Sequence, residues 1–155
     1  MTIQKRLDDL GITLPPCPAP AASYLPGVLN DGFIFVSGQT PKNGSELLFQ
    51  GRLGKDLTLD QGVKAAEICV LRALSVLDTI TGIEEIEQII KITGYVNSAE
   101  DFFLQSQVID GASNLLEKIF GQSGRHSRVA VGVNVLPGNA AVEIEMIAKV
   151  KTVRP

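Results

Sequence analysis

One histidine, two cysteines and an aromatic share of only 5% leave this chain short of the usual reactive groups. Cys17 and Cys69 are far apart and neither belongs to a CxxC pair, so the common zinc spacings are absent and no metal site is expected. His126 stands alone, which excludes any mechanism needing two imidazoles; a Ser-His-Asp triad would have to centre on it, yet no GxSxG surrounds any serine. The glycines Gly38, Gly44, Gly51 and Gly54 match neither the dinucleotide fingerprint nor the P-loop.

Long apolar runs are missing too, and with them any segment of the roughly 20 residues that a membrane helix requires. No lysine or arginine cluster appears, and a formal charge of -3 with a pI near 5.1 repels phosphate backbones, so nucleic acid is an unlikely partner on charge alone. Residues 1–6 carry charge without a following apolar leader, and the expected location is cytoplasmic, with both thiols reduced.

What is present is ordinary globular composition, 45% hydrophobic and 20% charged, which fits one domain over residues 1–155. Residues 3–10 read as a short amphipathic helix stopped by Gly11. Pro15, Pro16, Pro18 and Pro20 then impose an extended arm that cannot be helical. Residues 24–29 and 33–37 flank Asn30-Asp31-Gly32, a hairpin signal. Residues 38–55 read as a mostly surface loop with a possible edge strand at 46–52.

Thr58 and Gln61 have capping-box spacing, and Val63, Ala66, Val70, Leu74 and Leu77 recur at helical intervals up to Gly82. A strand follows over 86–96, with Ile90, Ile92, Gly94 and Val96 expected on one face and Ile89, Lys91, Thr93 and Tyr95 on the other. Residues 101–120 form the next helix, striped by Val108, Ala112, Leu115 and Ile119. In the last third, Val129, Val131, Val133 and Val135 alternate with Arg128, Ala130, Gly132 and Asn134, and the valine side is expected to be core. The final strand has Val142, Ile144, Met146, Ala148 and Val150 on the core side and Glu143, Glu145, Ile147 and Lys149 opposite. The pattern implies an α+β fold: a mixed, mainly antiparallel sheet with two helices packed on one face. Arg128, Thr93, Tyr95, Glu143 and Ile147 are expected on the other.

Arg128 is the leading candidate for chemistry, because a guanidinium on a strand of small neighbours can offer two parallel N–H donors to a carboxylate. An intrasheet ion pair with Glu143 or Glu145 is the alternative. Ser37-Gly38 ends a strand where backbone amides could approach a ligand, or it is simply a turn. His126 reads as a hydrogen-bonding loop residue rather than a general base.

Three stretches together resemble the RidA/YjgF family, also called L-PSP endoribonuclease-like. They are Phe33-Ile34-Phe35-Val36-Ser37-Gly38-Gln39, Arg128-Val129-Ala130-Val131-Gly132-Val133, and Leu136-Pro137 followed by Val142-Glu143-Ile144-Glu145-Met146-Ile147-Ala148. The resemblance implies a chorismate-mutase-like fold assembled as a homotrimer, with sites between subunits. It implies that Arg128 binds the substrate carboxylate, Glu143 positions a water, Tyr24 and Ser37 line the pocket, and Gly38 offers backbone. The activity implied is cofactor-free hydrolysis of imines and enamines of 2-oxo acids. A non-catalytic, small-carboxylate-binding or regulatory trimer is the alternative, and endoribonuclease activity is a more distant one. Two departures stand out: Ala130 replaces a residue that is often cysteine, and the helix asparagine of the family has only Asp110 or Asn114 as a counterpart.

Overall fold

A computed structural model describes residues 1–19 and 22–152. Pro20, the expected end of the arm, lies outside the described residues. Three α-helices, α1 (Ile3–Asp9), α2 (Leu59–Thr81) and α3 (Gln105–Phe120), accompany seven strands. These are β1 (Gly27–Asn30), β2 (Phe33–Gln39), β3 (Lys42–Asn43), β4 (Glu46–Leu47), β5 (Ile86–Asn97), β6 (Ser127–Val133) and β7 (Val142–Val150). Five strands form one sheet in the order β1-β2-β7-β5-β6, in which only the β5–β6 pairing is parallel; β3 and β4 make a separate ribbon. The expected α+β architecture is therefore present, with three helices. Among the described residues no helix is long and apolar enough to cross a membrane.

Local sequence accounts for most boundaries. Asp31 and Gly32, at φ 50° and 79°, make the two-residue turn between β1 and β2. The first strand starts at Gly27 rather than at residue 24, because Pro26 has no N–H to give the ladder; its carbonyl instead accepts from Ser37 N at 2.8 Å. Thr58 and Gln61 form the capping box of α2. Helix α3 begins at Gln105 instead of residue 101, since Phe102 N donates to Ala99 O and holds the preceding segment in a turn. The arm carries no strand or helix over residues 12–19, and Ile12, Leu14 and Cys17 pack on the core.

Both α2 and α3 cover one face of the sheet. Ile34, Val36, Ile92, Val96, Val142, Ile144, Met146 and Ala148 point from the strands into that layer and are buried. Close approach is possible because Gly94 has no side chain: a Cβ there would lie 2.4 Å from Ile109 Cδ1 and 2.5 Å from its Cγ1.

Three expectations are corrected. Ile89 is fully buried and Ile90 only partly, because an irregularity in the β5–β7 register between Ile89 and Lys91 shifts the alternation. Residues 38–55 are more than a surface loop, for Leu53 is fully buried and its N–H donates to Asn97 O at 2.8 Å. The largest correction concerns β6. Its register pairs Arg128 with Ile92 and Ala130 with Gly94, which puts Arg128 on the helix-bearing face, while Val129 and Val131 point to the open face and are exposed. Alternation fixes that one side is apolar but not which side the helices cover.

Gly94→Ala is expected to destabilise the protein by about 1–3 kcal/mol through overpacking against Ile109. Urea denaturation should show a smaller cost for the same change in an Ile109→Ala background; equal costs in both would show that the two residues do not collide.

Candidate functional site

The predicted site residues separate into two clusters. The first joins α3 to edge strand β6. Positions 106, 110 and 113 recur on one side of α3 at intervals of four and three, and Arg128 reaches across to all of them. Its Nη1 donates to Ser113 Oγ at 2.9 Å, its Nη2 donates to Ser106 O at 3.1 Å, and Nη2 lies 2.8 Å from Asp110 Oδ1. The ion pair anticipated with Glu143 or Glu145 is not made; Asp110 supplies the counter-charge from the helix.

Ser113 is also 3.0 Å from His126 Nε2, and His126 Nδ1 is 2.6 Å from Gly124 O. A carbonyl can only accept, so Nδ1 carries the proton, leaving Nε2 to accept from the Ser113 hydroxyl, whose oxygen accepts from Arg128. The result is a directed chain from guanidinium to hydroxyl to imidazole to backbone. Burial is the main cause of a His126 pKa below its ordinary value; the Gly124 carbonyl opposes the shift and the Arg128 charge adds to it. Asn114 and Glu117 line the same open cavity of about 330 Å³ with Ser113, His126 and Arg128. Ala130 is half-buried on the same face of β6.

The second cluster surrounds the end of β2. A break in register between Val36 and Gln39 lets Ser37 and Gly38 bulge out of the β2–β7 ladder. Ser37 Oγ donates to Leu25 O at 2.6 Å, which leaves the hydroxyl able to accept. Gly38 brings bare backbone against Glu143, since a Cβ at that position would fall 2.3 Å from Glu143 Oε1. Burial first, and then the nearby Glu145 charge, raises the Glu143 pKa. Tyr24 is exposed and shares a cavity wall with Gly38.

Within one chain these clusters do not meet. Arg128 and Ala130 occupy the helix-bearing face at the β6 edge, whereas Glu143 projects from the opposite face of β7, two strands or roughly 10 Å away across the sheet. Ser113 was not singled out from the sequence, although its i+3 spacing from Asp110 places both on one helix side. Nothing in the sequence pairs it with His126, because that contact depends on how α3 lies against β6. Among the described residues, no group of three or more His, Cys, Asp or Glu is arranged to hold a metal ion.

Comparison with known proteins agrees on the family. The family described as "YjgF/chorismate_mutase-like, putative endoribonuclease" matches residues 4–150. Protein TCP17 of Trypanosoma cruzi is 39% identical over 149 residues, covering 95% of this chain and 93% of its own. A RutC family protein of Aquifex aeolicus is 30% identical, covering 88% and 96%. A Shewanella oneidensis crystal structure, described as a "putative endoribonuclease", superposes with a TM-score of 0.93 at 33% identity, covering 97% of this chain and all of that one.

The depressed His126 pKa has a measurable consequence. In the unfolded chain the imidazole titrates near 6.5, and in the folded protein it titrates lower, so the unfolded state binds the extra proton first. Stability from this group is complete above pH 6.5 and is lost as pH falls through the folded value. His126→Gln should flatten that part of the pH–stability curve; an unchanged slope would place the titration elsewhere.

Proposed function

We propose a function from one premise: this chain belongs to the YjgF/RidA-like family, whose fold and extent it shares. In this reading the protein is a homotrimeric deaminase that hydrolyses imines and enamines of 2-oxo acids to the 2-oxo acid and ammonium. Arg128 and Glu143 act from adjacent subunits. The observation that carries the proposal is the division of the site: a guanidinium half on β6 and a carboxylate half at the β2 bulge, which do not meet within one chain.

The bare sheet face favours self-association. Val28, Phe35, Val129 and Val131 are exposed there, Phe35 at 47% and Val131 at 38%, and no helix of the chain covers them. Apolar side chains exposed at both edges of one sheet face favour burial by another molecule. A ring of copies would cover it and carry the β6 edge of one subunit toward the β2 bulge of the next.

The chemistry asks little of the protein because an iminium carbon is already electrophilic. Arg128 holds the substrate carboxylate, with Ser113 and His126 fixing the guanidinium. Glu143 takes a proton from water as the oxygen bonds to the iminium carbon. That proton then passes to nitrogen, the C–N bond breaks to release ammonia, and Glu143 relays the hydroxyl proton to the ammonia as the carbonyl closes, so the products are ammonium and the 2-oxo acid. A carboxyl whose pKa is raised by burial suits this traffic better than an ordinary surface glutamate.

The hold of Asp110 on Arg128 favours a second reading, a small-carboxylate-binding or regulatory trimer without turnover, because Asp110 competes for the same guanidinium. Ribonuclease activity is supported less, since the formal charge of -3 opposes approach of a polyanion.

Imines generated in situ by an amino-acid oxidase provide the test. Arg128→Ala should lower kcat/KM for ammonium release by about 10- to 100-fold, the worth of a lost charge-assisted clamp. Co-refolding equal amounts of Arg128→Ala and Glu143→Gln subunits should regain about a quarter of wild-type activity, because random assembly pairs intact halves at that frequency. Undiminished activity of Arg128→Ala would sink the mechanism. Saturable 2-oxo acid binding without ammonium release from any imine would establish the second reading.

A further inference from the structure

Among the described residues Arg72 is a charge without a counter-charge. It sits on α2 between the core residues Cys69 and Ala73, and only 8% of its surface is exposed. A guanidinium stays protonated throughout the accessible pH range, so its burial must be balanced by acceptors or counter-charge. Nη1 donates to Lys42 O at 3.3 Å, and Nε finds no acceptor among the described residues. Among the described residues no carboxylate lies within ion-pair distance of it, whereas Arg128 and Arg125 are paired with Asp110 and Glu117. Burial accordingly lowers its pKa.

The side chain lines two adjoining cavities beneath the proline arm. The larger, about 490 Å³, is walled by residues 15–19 of the arm and by residues 42–45 of the β3–β4 ribbon. The smaller, about 80 Å³, continues toward Tyr24, Gly38 and Thr40. Pro18, Ala19, Lys42 and Arg72 line both, and no acidic residue lines either. Lys42 adds a second cation at the seam, and Asn43, Ser45 and Thr40 add neutral donors. The volume suits a small metabolite, and a planar fork beside an ammonium suits an oxyanion.

We propose that this cleft is an anion-binding site separate from Arg128, in which Arg72 and Lys42 hold a carboxylate or phosphate group of a small ligand. The bound anion would supply the acceptor that Arg72 Nε lacks. Rigid prolines on the outer wall lower the ordering cost of closing over it. Because Tyr24 and Gly38 also border the cleft, a ligand anchored here extends toward Glu143.

Isothermal titration of the full chain with inorganic phosphate and with malonate, at constant ionic strength, tests the proposal. Saturable binding of at least one probe is expected, and the tighter probe identifies the phosphate or the carboxylate source. In the Arg128→Ala background, which removes any anion held at Arg128, saturable binding should persist, and adding Arg72→Gln or, independently, Lys42→Ala should each weaken it by about 10-fold or more. Malonate or phosphate, whichever binds, should also slow alkylation of the half-buried Cys17 by iodoacetamide, since Cys17 lines the larger cavity and Cys69 is fully buried. No saturable binding of either probe would overturn the assignment. Equal binding with and without Arg72→Gln and Lys42→Ala in that background would do the same, as would loss of binding in Arg128→Ala.

Discussion

Strand β7 sits between β2 and β5, and its strict alternation governs the rest of the molecule. Val142, Ile144, Met146 and Ala148 face the helices and are buried, while Glu143, Glu145, Ile147 and Lys149 face away. At roughly 25 cal/mol per Å² of apolar surface removed from water, this shared layer with α2 and α3 is the main stabilising contribution available. It also leaves the second sheet face without a covering element. The Glu143 half of the proposed site follows from that asymmetry, because the open face retains Glu143 and exposed apolar side chains such as Phe35 and Val131, whereas Arg128 lies on the helix-bearing face.

Charge is distributed with the same logic. Arg128 is tied to α3 by Asp110, Ser113 and the Ser106 carbonyl, and that network fixes both the guanidinium and the His126 tautomer. Glu143 is held in the opposite electrostatic condition, half-buried beside Glu145 and pressed on the Gly38 backbone, so its charged form is disfavoured. In the proposed reaction this pairs a fixed guanidinium with a carboxylate whose pKa is raised. Arg72 breaks the pattern, because among the described residues its burial is offset only by the Lys42 carbonyl and by no counter-charge.

The departures noted from the family resemblance, Ala130 and the helix position for which Asp110 or Asn114 is the counterpart, both lie on the guanidinium side, where Asp110 pairs with Arg128, while Gly38 and Glu143 are in contact at the β2 bulge. A proline arm that walls a cleft beside Tyr24 and Gly38 adds a further surface on which ligands can be distinguished.

Local periodicity and backbone chemistry make the α+β class, the capped helix from Thr58, the Asp31-Gly32 turn and the inward residues of β7 legible in the sequence. Arg128 and Glu143 were likewise legible as candidates from their strands and from family resemblance. Tertiary structure alone decided that the valines of β6 face outward, since alternation marks an apolar side without saying which side the helices cover. The irregularity at Ile89 was hidden for a related reason: an extra residue in one strand shows only when its partner is known. Contacts of Arg128 with Asp110 and of Ser113 with His126 also depend on where α3 lies over the sheet edge. Arg72 reads as one more polar helix position until the arm and the β3–β4 ribbon close around it, for burial is a property of packing and not of the residue.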